Sequence, residues 1–125
     1  MSTYTYKIGV TVIGLILLTS CGRQHRAESI VEDFIEANAA KPEAVSSIDF
    51  RSIDSTRVIS DSIISVMRRQ AAGSPRYRSD MSFDQSEIIL PLIIVRVSYK
   101  TDGQECSDTY YLDCDLTRVV ALKTN

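Results

Sequence analysis

Apolar residues recur at two helical periods in the first half of the chain, with a short strand pattern between them. Arg23–Ala40 predicts a first helix, which Pro42 ends. Its stripe toward the core consists of Ala27, Ile30, Val31, Phe34, Ile35 and Asn38. Ser46–Thr56 alternates as a strand does, and Ile53 breaks the phase, which indicates a bulge.

A second helix is predicted from the N-cap residue Ser60 to the stop at Gly73-Ser74-Pro75. The face that it should bury contains Ile59, Ile63, Val66, Met67 and Gln70. Residues 76–86 follow as a polar connection.

Asp102-Gly103, between the β-rich runs 88–100 and 104–113, is the strongest fold signal in the chain. Asp-Gly is a preferred two-residue hairpin turn, and it sets Tyr99 opposite Cys106 and Val95 opposite Tyr110. One face of the hairpin then carries Ile93, Val95, Val97, Tyr99, Cys106, Tyr110 and Leu112. Arg118–Lys123 predicts a last strand that completes a three-stranded meander.

This order predicts an α+β fold, with two helices on one face of an antiparallel sheet that ends in the meander. The arrangement resembles the cystatin-like and nuclear-transport-factor-like folds, in which a helix packs into a curved sheet. The resemblance is architectural, and such folds serve many functions.

The N-terminus begins with a short polar stretch that contains Lys7, followed by the apolar run Ile8–Leu18 and the small residues Thr19 and Ser20. This is the pattern of a secretory signal peptide. The alternative is an uncleaved membrane anchor, but the run is shorter than the roughly 20 apolar residues that span a bilayer.

Leu18-Thr19-Ser20-Cys21 resembles the lipobox of bacterial lipoproteins. The resemblance implies a signal peptide over residues 1–20, lipidation of Cys21 with acyl chains such as palmitate, a tether over 21–26 and one domain over 27–125. Two or more lipid signals are needed for stable anchoring. Because Gly22 replaces the retention aspartate of the enteric sorting pattern, the resemblance implies the outer membrane, facing the periplasm.

Charge and composition exclude few classes of function. The 125 residues contain 14 Lys and Arg and 16 Asp and Glu. Lys7 is the one charged residue of the signal segment, so the mature chain has a net charge of about −3, which gives no reason to expect nucleic acid as a partner. A length of about 105 mature residues suits a single domain.

The sequence offers little catalytic or metal chemistry. His25 is the only histidine, and no cysteine pair has zinc spacing, so no metal or cofactor is expected. Asp108, Asp113, Cys114 and Asp115 are interpreted as a solvated turn rather than a calcium site. No activating histidine accompanies Cys106 or Cys114, and we expect no enzyme.

The cysteines also bear on the strand register. Along one strand, Cys106 and Cys114 would lie about 26 Å apart, too far for a disulfide. We therefore expect two free thiols, with Cys106 buried and Cys114 more exposed.

Two clusters leave alternatives open. Arg68, Arg69, Arg76, Tyr77 and Arg78 form either a solvated helix end or a contact for anionic headgroups or an acidic partner. The aromatic residues either line a concave pocket or pack in the core: Tyr77, Phe83, Tyr99, Tyr110 and Tyr111.

The leading hypothesis is a lipid-anchored envelope protein that acts as a non-enzymatic binding or interaction module. The alternatives are a small-ligand pocket protein with a nuclear-transport-factor-like fold and a structural accessory of an envelope complex.

Overall fold

The computed structural model describes residues 22–125, so the signal peptide and Cys21 lie outside the described residues. The elements are α1 over residues 22–38, a 3-10 turn at Pro42–Ala44, β1 Val45–Phe50, β2 Asp54–Thr56, α2 Asp61–Ala72, β3 Leu92–Thr101, β4 Gln104–Leu112 and β5 Val119–Thr124. The predicted α+β class, with two helices packed on an antiparallel sheet and a C-terminal meander, is confirmed. Within the described residues, no helix is long and apolar enough to cross a membrane.

The hairpin has the predicted register, with Thr101 paired to Gln104 and Tyr99 paired to Cys106. The strand order is β1-β3-β4-β5, and β2 pairs with the first residues of β3 beside β1. The β-rich run predicted to begin at residue 88 forms a strand only from Leu92 onward. The strand predicted over 46–56 is also divided, and its register shift lies between Ser46 and Asp49 rather than at Ile53.

Helix α1 covers one face of the sheet with its predicted stripe. Ala27, Val31 and Ile35 are buried against β3 and β4. Phe34 meets the ring of Tyr110 edge-on at 5.6 Å and stacks on Phe83 at 5.9 Å, which closes the core beneath the loop after α2.

Helix α2 does not lie on the same face, so the prediction of both helices on one face is wrong. Ile64 and Met67 pack with Leu92 in a second cluster. Leu92 and Ile93 are neighbours in β3 and point to opposite faces, and Ile93 belongs to the cluster under α1. Arg68 Nε donates to the carbonyl oxygen of Val120 in the edge strand β5 (2.9 Å), so α2 covers that edge.

The buried face of α2 includes Met67, as predicted, but not Ile63 or Val66. Its buried residues are Ile64, Met67 and Ala71, whereas Ile63 and Val66 are 50% and 41% exposed. Ile63-Ile64 and Val66-Met67 are adjacent apolar pairs, and they offer two stripes at the same helical spacing. The contact with β5 selects the second of these stripes.

The first turn of α1 lies at one end of the sheet. Gln24 bonds the carbonyl oxygen of Arg51 (3.1 Å) and the amide of Ile53 (2.9 Å), and Arg26 bonds the carbonyl oxygen of Leu116 (3.1 Å). We call this the N-terminal end, and the opposite end, with the turn Asp102-Gly103, the hairpin end. Residues 22–26, for which the sequence predicts a tether, are helical.

Candidate binding site

A buried carboxylate lies at the centre of the hairpin end. The side chain of Asp108, in β4, has no exposed surface. Arg76 holds both of its oxygens, with Nη2 2.8 Å from Oδ1 and Nη1 3.0 Å from Oδ2. The hydroxyls of Tyr77 and Tyr99 each donate to Oδ2 at 2.6 Å. Asp108 therefore accepts four hydrogen bonds, as a buried charge requires.

The bonds extend to Tyr110, whose hydroxyl lies 2.6 Å from that of Tyr77. We call these five residues the Asp108 network: Arg76, Tyr77, Tyr99, Asp108 and Tyr110. Every buried side-chain nitrogen and oxygen among the described residues has a hydrogen-bond partner. The network is thus a satisfied framework that joins the loop after α2 to β3 and β4.

Burial determines how the network titrates. It raises the pKa values of Tyr77, Tyr99 and Tyr110, and the charge of Asp108 raises them further. Burial lowers the pKa of Arg76, but the hydrogen bonds and charge of Asp108 outweigh it and raise that pKa on balance. The tyrosines therefore remain neutral and the guanidinium remains charged at physiological pH.

A polar groove opens beside the network. It encloses about 520 Å³. Its lining consists of Ser47, Asp49, Arg76, Ser98, Tyr99, Lys100, Glu105, Cys106, Ser107 and Asn125. Ser47 has a positive φ of 55° at the register shift of β1, so one wall of the groove is an irregular backbone. Strained backbone of this kind is common at binding sites.

A second groove, of about 490 Å³, lies between α1 and β1. Ile35, Val45 and Ile48 give it an apolar surface, and Ile48 is 38% exposed. Three carboxylates stand along it: Glu32, Glu36 and Glu43. We call it the acidic groove. Among residues 22–125, no lysine or arginine lines it, so it presents a negative field over apolar contacts.

β1 separates the two grooves and lies at the edge of the sheet. Its one strand partner within residues 22–125 is β3, so its outer backbone groups have no strand beside them there. Four of its six residues are exposed. An unpaired edge of this kind is the backbone template on which extended peptides bind.

The predicted basic cluster does not exist as a single patch. Arg76 is bound to Asp108, and Arg78 pairs with Asp80 at 2.8 Å. Arg68 bonds backbone carbonyls of Asp84 and Val120. Most of these cations are therefore already hydrogen-bonded or ion-paired within the domain.

The aromatic residues pack mainly in the core rather than around a pocket. Tyr77, Phe83, Tyr99 and Tyr110 are buried in the cluster under α1, and Tyr111 packs against the second cluster. Tyr99 also forms part of the wall of the polar groove.

Cys106 and Cys114 are free thiols, as predicted. Cys106 is only partly buried, because it lies on the wall of the polar groove, so the prediction of a buried Cys106 is wrong. Asp113 bonds the amides of Thr117 and Arg118 and so orders the β4–β5 turn, in keeping with the interpretation of that segment as a turn. The part of the chain that the structure covers contains no group of three or more His, Cys, Asp or Glu arranged to hold a metal.

Sequence reasoning named Asp108 only as a possible turn carboxylate and missed its partners. A signal was present, because the hairpin register sets Asp108 opposite Val97 on the apolar face. Comparison with protein-family models, with curated proteins and with solved structures finds no match to this chain.

Proposed function

We propose that this protein is a lipid-anchored envelope protein that acts as a non-enzymatic binding module, on the outer membrane and facing the periplasm. Residues Leu18 to Cys21 support the anchor because they match the lipobox pattern. The β1 edge and its two grooves support the binding role. No step of this proposal requires a metal or a cofactor.

The observation that carries the binding role is the unpaired β1 edge beside the acidic groove. An extended segment of a partner protein can add backbone hydrogen bonds along β1 while one apolar side chain enters the acidic groove near Ile48. The three glutamates favour a segment with lysine or arginine next to that apolar residue.

In-cell photocrosslinking tests this binding surface. A photoreactive amino acid placed at Ile48 should give a discrete adduct with one partner protein. Ser82 is exposed in the loop after α2 and is the matched control position. The adduct at Ile48 should weaken when Glu32 and Glu36 are changed to Gln. Equal adducts at Ile48 and Ser82 would contradict a partner site at β1.

The polar groove favours a second function, the binding of a small ligand, because its volume lies within the range of about 300–1,000 Å³ of ligand sites. Its lining is largely polar and charged, whereas such sites are mostly apolar. Small polar compounds should then shift the NMR signals of Ser98 and Lys100. Shifts confined to the acidic groove would exclude this second function.

A further inference from the structure

Four arginines belong to two segments at the N-terminal end of the sheet, 22–28 and 51–58. Arg23 and Arg26 belong to the first turns of α1, and both are exposed. Arg51 lies near them, because its carbonyl oxygen accepts a bond from Gln24 (3.1 Å), and it is also exposed. Arg57 is exposed immediately after β2, which pairs with the beginning of β3 at this end of the sheet.

The acidic residues of the same segments offset this charge only in part. Glu28 is half-buried and accepts a bond from Gln24 (2.9 Å), and Asp54 is exposed in β2. The segments 22–28 and 51–58 thus carry four arginines against two carboxylates. Such a surface is electrostatically complementary to negatively charged lipid headgroups.

The neighbouring side of the N-terminal end has the opposite balance. Arg118 is turned toward the carbonyl oxygens of Asp84 and Glu87, and Asp115 is exposed in the turn between β4 and β5. The segment 51–58 is cationic, with Arg51 and Arg57 against Asp54, whereas the segments 84–87 and 113–118 are acidic. The acidic segments contain Asp84, Glu87, Asp113 and Asp115 against Arg118. Arg26 lies between the two sides, because its Nε donates to the carbonyl oxygen of Leu116 (3.1 Å). A negative surface would attract the cationic side and repel the acidic side.

Val58 adds an apolar contact to the cationic side. It follows Arg57 and is 92% exposed, the highest value among the large apolar residues described. A single exposed apolar residue is ordinary on a protein surface. Next to Arg57 on a surface that meets headgroups, it would enter the boundary between headgroups and acyl chains.

Cys21 fixes the distance of this surface from the lipid. It directly precedes Gly22, which is already helical, and adjacent Cα atoms lie about 3.8 Å apart. Gln24 and Arg26 bind the first turns of α1 to the rest of the domain. An acyl chain on Cys21 therefore brings the whole N-terminal end to the bilayer.

We infer that the segment 51–58, with the first turns of α1, is a docking surface for anionic phospholipid and sets the orientation of the domain on the membrane. This inference rests on the proposed lipid anchor. Each cation near an anionic surface contributes about fivefold to binding, which corresponds to about 1 kcal/mol.

The test uses the acylated full chain in vesicles whose phospholipids carry a photoreactive headgroup. Vesicles of phosphatidylcholine with phosphatidylglycerol are compared with vesicles of phosphatidylcholine alone. After illumination, the labelled peptides are identified by mass spectrometry. We expect labelling of 51–58 to exceed that of 113–117 and 101–105 by tenfold or more, as roughly two effective cations would give, and to fall in the vesicles without phosphatidylglycerol.

The double variant Arg51→Gln, Arg57→Gln should lose most of this labelling while it still floats with the vesicles. Lys41→Gln, Lys123→Gln removes the same charge elsewhere, from exposed positions, and should leave labelling of 51–58 unchanged. Equal labelling of 51–58 and 113–117, or no response to phosphatidylglycerol, would overturn the docking surface and leave the anchor intact. A wild-type protein that does not float with either vesicle would instead overturn the anchor, and the docking surface with it.

Discussion

Replacing Asp108 with asparagine is the most direct test of the hairpin end. Oδ2 accepts bonds from Arg76, Tyr77 and Tyr99, and Oδ1 accepts a second bond from Arg76. Asparagine has one oxygen and one amide nitrogen. Whichever way it turns, its amide faces an N–H of Arg76, so two donors oppose each other and the guanidinium loses its counter-charge.

The loss can be estimated from the burial of the pair. Removing one partner of a buried ion pair costs about 3–5 kcal/mol. The side chain of Arg76 is still 20% exposed, so water can solvate part of the unpaired charge. We therefore expect Asp108→Asn to reduce the free energy of unfolding by about 3 kcal/mol, which is a large share of the 5–15 kcal/mol typical of a domain.

A urea titration of the purified protein measures this loss, and Asp80→Asn is the matched control. Asp80 receives Arg78 at 2.8 Å, but the side chains of this pair are 55% and 68% exposed. Exposed pairs contribute about 0–1 kcal/mol, so the control should change little. Equal losses in the two variants would refute the idea that burial of the Asp108 network stabilises the hairpin end.

Three other predictions follow from the anchor, the sheet and the tyrosines of the Asp108 network. Cys21→Ala should move the protein out of the membrane fraction, and an unmodified, uncleaved wild-type chain in intact-mass analysis would contradict the anchor. Val95→Ala should cost about 1–3 kcal/mol and Arg96→Ala within about 0.5 kcal/mol in urea, because only the first is buried. Because burial raises the pKa values of the three tyrosines, their contribution to stability is complete below pH ~10 and is lost as pH rises through the raised values. Tyrosinate absorbance from these residues should therefore appear together with loss of circular dichroism, and ionisation before unfolding would contradict their burial.

Local signals explain which elements the sequence predicts correctly. The Asp102-Gly103 turn determines the register of the hairpin, and strict alternation then assigns its faces, as the burial of Val95 and the exposure of Arg96 confirm. The prediction of helix α1 is also correct, because its sequence has a single apolar stripe. The prediction of a buried Ile63 in α2 is wrong because Ile63 and Ile64 fit the helical period equally well. Only the tertiary contact with β5 distinguishes them.

The Asp108 network is harder to predict because its members are distant in sequence. Arg76 lies 32 residues before Asp108, in a loop without periodicity. Residue type alone assigns an aspartate to the surface, although the hairpin register places Asp108 among inward positions. Only the folded structure, in which the loop after α2 packs over β4, brings Arg76 and Asp108 together.

The hydrogen bonds that hold residues 22–26 against the domain limit where a partner can bind. A flexible tether would let the domain sample many heights above the bilayer, but residues 22–26 are helical and bonded to the domain. β3 runs from Leu92 at the N-terminal end to Thr101 at the hairpin end, a length of about 30 Å. With lipid at Cys21, the β1 edge would stand within about that distance of the membrane. The partner segment that we propose must therefore reach this layer, which favours a partner that is itself attached to the same membrane.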